Sequence, residues 1–256
     1  MDPKRPAPSR RPASGGRVVL VHGFTQTSAC WSPIDDALAV DHEIRSLDAP
    51  GHGAAAGEQL DLPTGGSMLA AAGGHGAYVG YSMGARFLLH AALARPDQVE
   101  RLVLISGTAG IDDARERAAR RASDEALADH LLAIGVPTFL DEWLALPMFD
   151  GLPPERAHRA ARETNTAPGL ASSLRLAGTG TQLPLWDRLP ELAMPVLVVT
   201  GAADAKFTEL GQRMVDTIGP NADLAVVEDA GHTVHLEQPD RFLAALLPWL
   251  TQDPNL

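Results

Sequence analysis

Three residues in this sequence have the types and local settings needed for covalent or proton-transfer chemistry: Ser82, Asp204 and His232. Ser82 lies in Gly80-Tyr81-Ser82-Met83-Gly84, a G-x-S-x-G directly after a strand-like run and directly before a helix-like one. The two glycines let the chain turn sharply without a Cβ clash. The helix that follows directs its free N–H groups and positive dipole end toward the hydroxyl. Taken alone, the pentapeptide also fits a strand–turn–helix joint that happens to contain serine. The rest of the chain weighs against that reading, because Asp204 follows the run 195–200 by four residues and His232 follows the run 223–228 by four. Serine is a weak nucleophile and a weak base at neutral pH. An imidazole that takes its proton, oriented in turn by a carboxylate, removes that limit. His22-Gly23-Phe24 closes the run 17–21, so the backbone N–H groups of Phe24 and Met83 could together face a developing oxyanion.

Other histidines compete for the base role. His52 lies in the Asp48-Ala-Pro-Gly-His-Gly53 turn, His235 stands three residues beyond His232, and His22 sits in the first loop. Loop position favours His232, and turn chemistry or ring hydrogen bonding accounts for the others. His232-x-x-His235 lacks the Glu of an H-E-x-x-H motif and a third ligand, so no metal is expected. Neither G-x-x-x-x-G-K-[ST] nor G-x-G-x-x-G occurs, which removes the usual grounds for nucleotide binding. Cys30 is the only cysteine, placed beside Trp31 as a core residue.

The elements that must carry these residues alternate. Apolar runs at 17–21, 43–47, 77–80, 101–106, 195–200 and 223–228 read as short strands, and helices are expected at 30–40, 66–73, 84–94, 206–218 and 238–250. Strands that are apolar throughout belong in a parallel sheet covered on both faces. The loops at the carboxyl ends of such strands converge on one crevice, which can bring Ser82, Asp204 and His232 together. Between Ser106 and Pro195 the alternation stops, and helical patterns at 114–135, 138–146, 154–165 and 169–178 suggest an inserted cap. The expected organisation is a tail over 1–16, a core over 17–110 and 183–256, and a helical cap over 111–182. The span 54–77 is Gly/Ala-rich and weakly patterned, so the helix before Ser82 has little apolar periodicity to define it.

With 256 residues, 45% of them apolar, the chain suits one α/β domain with an insertion. A net charge of −11 disfavours nucleic acid. No run approaches the length of a membrane span, and residues 1–16 lack the apolar stretch of a secretory signal. A cytoplasmic protein acting on a small molecule is the expectation.

At this point the chain resembles a family, the 2-succinyl-6-hydroxy-2,4-cyclohexadiene-1-carboxylate synthases of menaquinone biosynthesis, within the α/β hydrolases. The resemblance runs through VLVHGF (19–24), LDAPGHG (47–53), VGYSMGAR (79–86), RERAARRASDEALA (115–128), EWLALPMF (142–149), ASSLRLAGTGTQ (171–182), LW (185–186), DAKF (204–207) and AGHTVHLEQP (230–239). It implies an α/β-hydrolase fold and a lyase in which the His-activated serine abstracts a proton and a pyruvyl group leaves, without a cofactor. It also implies a polyanionic substrate held in a cationic pocket by Arg86, Arg120 and Arg162, with Tyr81 and Trp143 as pocket aromatics. All but two of the 21 basic residues are arginine, so position alone says little; Arg120 has Asp124 as a helix partner, and Arg121 is an adjacent competitor. Three features depart from the family. No strand pattern precedes VVLVHGF, the 54–77 span is weakly patterned, and Ala85 stands where a glycine is expected. A carboxylesterase or thioesterase working through an acyl-serine is the nearest alternative. A non-catalytic ligand receptor on the same fold is the other.

Overall fold

The computed structural model describes residues 15–252. Its strands are β1 (Arg17–Val21), β2 (Glu43–Leu47), β3 (Gly76–Tyr81), β4 (Val99–Ile105), β5 (Val196–Gly201) and β6 (Ala222–Val227). They form one sheet in the order β2-β1-β3-β4-β5-β6, with every neighbouring pair parallel. The expected tail, except for Gly15 and Gly16, lies outside the described residues. Among the described residues no strand precedes β1, and β2 is left as an edge whose exposed Glu43 and Arg45 suit that position.

The helices are α1 (Ile34–Leu38), α2 (Leu62–Gly73), α3 (Met83–Ala94), α4 (Ala114–Ile134), α5 (Val136–Leu144), α6 (Arg159–Arg162), α7 (Ala167–Ala177), α8 (Ala205–Ile218), α9 (Val234–Glu237) and α10 (Pro239–Thr251). Alternate strand residues point to opposite faces, and they sort into two cores. Val19, Tyr78, Leu104 and Val198 pack with α2, α3 and α8; Leu20, Val79, Val103 and Val199 pack with α1, α9 and α10. Helices α4 to α7 lie in the chain between β4 and β5, and α4, α5 and α7 share a third cluster built on Leu131, Phe139, Leu170 and Leu174.

Departures from the expected elements have local causes. The helix expected at 30–40 becomes a tight turn at Ser28–Trp31 followed by α1, because Pro33 disfavours helical geometry at Ser32, whose ψ is 133°. α2 begins at Leu62, earlier than expected, where Asp61 caps it by accepting the Thr64 N–H at 2.9 Å. Its glycines reflect close packing on α3: a Cβ on Gly66 would lie 2.7 Å from the Phe87 carbonyl oxygen. The helix expected at 154–165 is split into a short turn and α6 by His158, which takes φ 51°. The Ala85 methyl is accommodated by a glycine at 107, where a Cβ would approach it to 2.8 Å.

Candidate active site

Strand order reverses between β1 and β3, so the loops after these two strands open onto the crevice at the carboxyl edge of the sheet. Ser82 stands at the end of β3 with φ 50° and ψ −104°, a conformation that L residues rarely adopt. The turn is held by the Ser82 N–H, which donates to the Ile105 carbonyl at 2.8 Å. Its tightness explains the flanking glycines: a Cβ on Gly80 would sit 2.7 Å from the Ala85 nitrogen, and one on Gly84 would overlap the Val21 carbonyl oxygen.

Asp204 ends the loop after β5 and His232 lies in the loop after β6. His232 Nδ1 is 2.8 Å from Asp204 Oδ2, and Nε2 is 3.2 Å from Ser82 Oγ. The ring is almost fully buried, with Phe207 and Tyr81 against it at centroid distances of 4.5 and 5.6 Å. The carboxylate therefore faces Nδ1, which fixes the proton there and leaves Nε2 free to accept the serine proton. Phe24 and Met83 lie beside Ser82 on the cavity wall, and no described group accepts a hydrogen bond from either backbone N–H. Both donors are thus available to an oxyanion.

A cavity of about 830 Å³ opens over Ser82, between the sheet edge and helices α4, α5 and α7. Arg86, Arg120 and Trp143 line it; Arg121 does not. Arg86 is buried, donates one N–H to the Ala177 carbonyl at 2.7 Å, and has its pKa pushed down to about 10 by burial and by nearby Arg120. Arg120 is more exposed and pairs with the buried Asp124 at 2.7 Å. Trp143 does double duty, stacking on Phe139 at 5.9 Å in the helical cluster and meeting Phe24 edge-on at 5.2 Å. The wall is not uniformly cationic, contrary to expectation. Asp112, Asp113 and Glu116 are exposed on it, while the buried positive charge is that of Arg86.

Tyr81 and Arg162 are not brought to the cavity wall. Tyr81 is the last residue of β3, and its buried ring packs on His235 at 4.6 Å and on His232 at 5.6 Å; burial raises its hydroxyl pKa. Arg162 is fully buried, with its pKa lowered by burial, and donates to the Ala157 carbonyl and the Thr25 hydroxyl. Beside it, Asn165 Nδ2 donates to the Thr25 carbonyl at 2.8 Å. Arg162 thus grips the loop that presents the Phe24 N–H and does not reach into the cavity.

The competing histidines are built into the scaffold as neutral rings. His22 Nε2 accepts the Ala49 N–H at 3.1 Å while Nδ1 donates to the Gly23 carbonyl at 2.8 Å. His52 Nε2 accepts the Thr25 N–H at 3.2 Å while Nδ1 donates to the Pro50 carbonyl at 3.0 Å. Protonation would destroy each acceptor. Burial holds His22 down to about 4, and holds His52 and His235 down to about 3, with His22 adding to the effect on His52 and Arg162 to that on His235. In the unfolded chain these rings titrate at about 6.5. The unfolded state therefore binds more protons across the window from 6.5 down to these folded values, and stability falls as pH falls through it. Each ring contributes a slope of about 1.4 kcal/mol per pH unit. Thermal melts should show a steep drop in Tm below pH 6 and little change between pH 7.5 and 8.5; a Tm that is flat from pH 7 to 5 would contradict this.

Sequence reasoning missed Lys206 and Arg213, which also line the cavity, and Ser106, which lines it from the end of β4 with φ 47°. Arg213 stacks over Trp186 at 3.6 Å and pairs with Asp112 at 2.7 Å, tying α8 to the segment that enters α4. Side-chain direction carried that information, and no motif did.

The sequence matches the alpha/beta hydrolase family over residues 18–245. A protein of Bacillus subtilis (strain 168) named for 2-succinyl-6-hydroxy-2,4-cyclohexadiene-1-carboxylate synthase is 33% identical, over 94% of this chain and 92% of its own length. The 2-succinyl-6-hydroxy-2,4-cyclohexadiene-1-carboxylate synthase of Yersinia pestis (strain Pestoides F) is 28% identical over 98% of this chain and 93% of its own. Among solved structures, MenH from S. aureus superposes with a TM-score of 0.87 at 29% identity, covering 94% of this chain and 95% of that one. The expected α/β-hydrolase fold is present, and the match extends through the helices between β4 and β5. The chain belongs to the alpha/beta hydrolase family and, within it, to the 2-succinyl-6-hydroxy-2,4-cyclohexadiene-1-carboxylate synthases.

Proposed function

We propose that this protein is a pyruvate-eliminating carbon–oxygen lyase that forms 2-succinyl-6-hydroxy-2,4-cyclohexadiene-1-carboxylate, with Ser82, His232 and Asp204 as its reacting triad. The observation that carries the reading is a Ser–His–Asp chain of 3.2 and 2.8 Å opening on a cavity whose wall includes the buried cation Arg86. No carboxylate of the described residues pairs with that cation, so the carboxylate of a ligand can take the place.

His232 Nε2 accepts the Ser82 proton, and Oγ then takes a C–H proton from the substrate. Electrons released from that carbon move through the ring as the ring C–O bond breaks; the departing enolpyruvate takes up the proton held by His232, which restores the triad, and tautomerises to pyruvate. Charge developing on a substrate carbonyl oxygen faces the Phe24 and Met83 N–H groups. Asp204 holds the imidazole in its working tautomer throughout. Arg86 and Arg120 orient substrate carboxylates, Trp143 walls the cavity, and residues 111–182 act as its cap over the core of 17–110 and 183–256. Proton transfer and elimination involve no net oxidation, so the reaction calls for no cofactor. Among the described residues no helix is long and apolar enough to cross a membrane, which fits a cytoplasmic enzyme of small polyanions.

The test supplies the pyruvyl-bearing precursor to purified protein and follows pyruvate, with a p-nitrophenyl ester as control. Pyruvate release with kcat of about 1–100 s⁻¹ is expected. Rapid ester turnover without pyruvate would replace the lyase by an esterase acting through an acyl-serine.

A further inference from the structure

The imidazole that joins Asp204 to Ser82 is carried on a loop, and the backbone of that loop is fixed on both sides of it. The Glu237 carboxylate, buried beneath the loop, accepts the Gly231 N–H through Oε2 at 2.6 Å and the Thr233 N–H through Oε1 at 2.8 Å. The Thr233 hydroxyl adds a third bond to Oε1 at 2.7 Å. Between these two clamped residues, Ser106 Oγ donates to the His232 carbonyl at 2.8 Å. A carboxylate offers acceptors on both of its oxygens, whereas an amide would turn an NH₂ toward one of these N–H groups. Among the described residues no basic side chain pairs with Glu237; Arg156 donates instead to its main-chain carbonyl at 3.0 Å. The three donors thus offset the burial of this charge, and all of them belong to the residues flanking His232.

We infer that Glu237 is a positioning residue for His232, holding the imidazole within reach of Ser82 by bridging the peptide groups on either side of it. This deepens the proposed role of the Ser82–His232–Asp204 triad and rests on it, but it does not depend on which substrate is turned over. The helical insertion bears on the same carboxylate. Gly151 lies so close that a Cβ there would overlap Glu237 Oε2, so the seat of the insertion and the aim of the base share one contact.

The test uses a fluorophosphonate, whose reaction at Ser82 needs the activated hydroxyl but no natural substrate. The full-length wild type, Glu237→Gln, Glu237→Ala and Gly151→Ala are compared by phosphonylation rate, kcat, KM and pH profile, with circular dichroism and Tm giving the folded fraction. Displacing a reacting group by about 1 Å costs on the order of a hundredfold, so Glu237→Gln should lose about 10–100-fold in both phosphonylation rate and kcat. KM should stay within about twofold, and the pH profile should shift with the imidazole's altered contacts. Gly151→Ala keeps the carboxylate but displaces it, and should lose several-fold. A Glu237→Gln protein with the wild-type rate per folded molecule would overturn the inference, as would losses that only follow the folded fraction. Glu237-dependent phosphonylation without pyruvate release would sink the lyase reading and leave this one standing. A wild-type Ser82 inert to the probe would sink both.

Discussion

Ser82→Ala should lower pyruvate release by about 10³–10⁴-fold while leaving substrate binding and Tm close to wild type, since the lost group is one proton-transfer partner. The hydroxyl makes a single side-chain hydrogen bond, to His232 at 3.2 Å, so its removal leaves the scaffold intact. The turn that bears it is held by backbone bonds and glycine contacts, which alanine keeps. Arg86 and Arg120 are untouched, so KM, or the Kd measured by calorimetry, should move little. The size of the loss discriminates between two routes for the proton. If Oγ takes it from carbon, the alanine variant has nothing within reach of that carbon. If His232 took it directly or through a water molecule, the variant would stay within about tenfold of wild type, and serine would leave the mechanism.

How much of this was legible in the sequence depends on how local the cause is. β1 and β2 follow from short runs that are apolar or alternating, and Ser82, Asp204 and His232 each follow a strand by a few residues, so strand positions carry them to one edge. The glycine-rich α2 reaches beyond the expected 66–73 because its signal is a contact: Gly66 is required by the Phe87 backbone, not by its own neighbours in sequence. The proposed substrate contacts are the hardest to place. Arg86 is one helical turn beyond Ser82 and inherits its location from the elbow. Arg162 sits on a segment whose helix is broken at His158, and its guanidinium turns to Thr25 instead of the cavity. Tyr81 shows the limit of adjacency in sequence: it precedes the nucleophile, yet its ring is spent on packing against His232 and His235. Glu237 lies within the quoted AGHTVHLEQP segment, yet nothing in a sequence shows that one carboxylate would return to both peptides beside His232.

On the proposed reading Arg86 separates the lyase from an esterase, because a polyanionic substrate calls for a cation that a neutral ester does not. Arg86→Met removes the charge while retaining much of the side chain's bulk. It should lower kcat/KM for pyruvate release by about 10²–10³-fold, or about 3–4 kcal/mol, which falls within the range of about 2–5 kcal/mol typical when one partner of a buried charge pair is lost. Turnover of a neutral p-nitrophenyl ester should change by no more than about threefold, since the triad and both backbone donors remain. Arg86→Lys should recover only part of the loss, because an ammonium cannot match a carboxylate with two parallel N–H groups and must also replace the bond to the Ala177 carbonyl. Burial and Arg120 bring the Arg86 pKa down to about 10, still well above neutrality, so the cation persists across the working range and KM should rise only when pH approaches that value. An equal fall in both reactions would mean that Arg86 supports the packing of α7, to which its bond runs, and not the substrate. In that case the positive charge beside the triad would lose its assigned purpose, and the preference for a polyanion would have to be carried by Arg120, Lys206 or Arg213, each more exposed on the same wall.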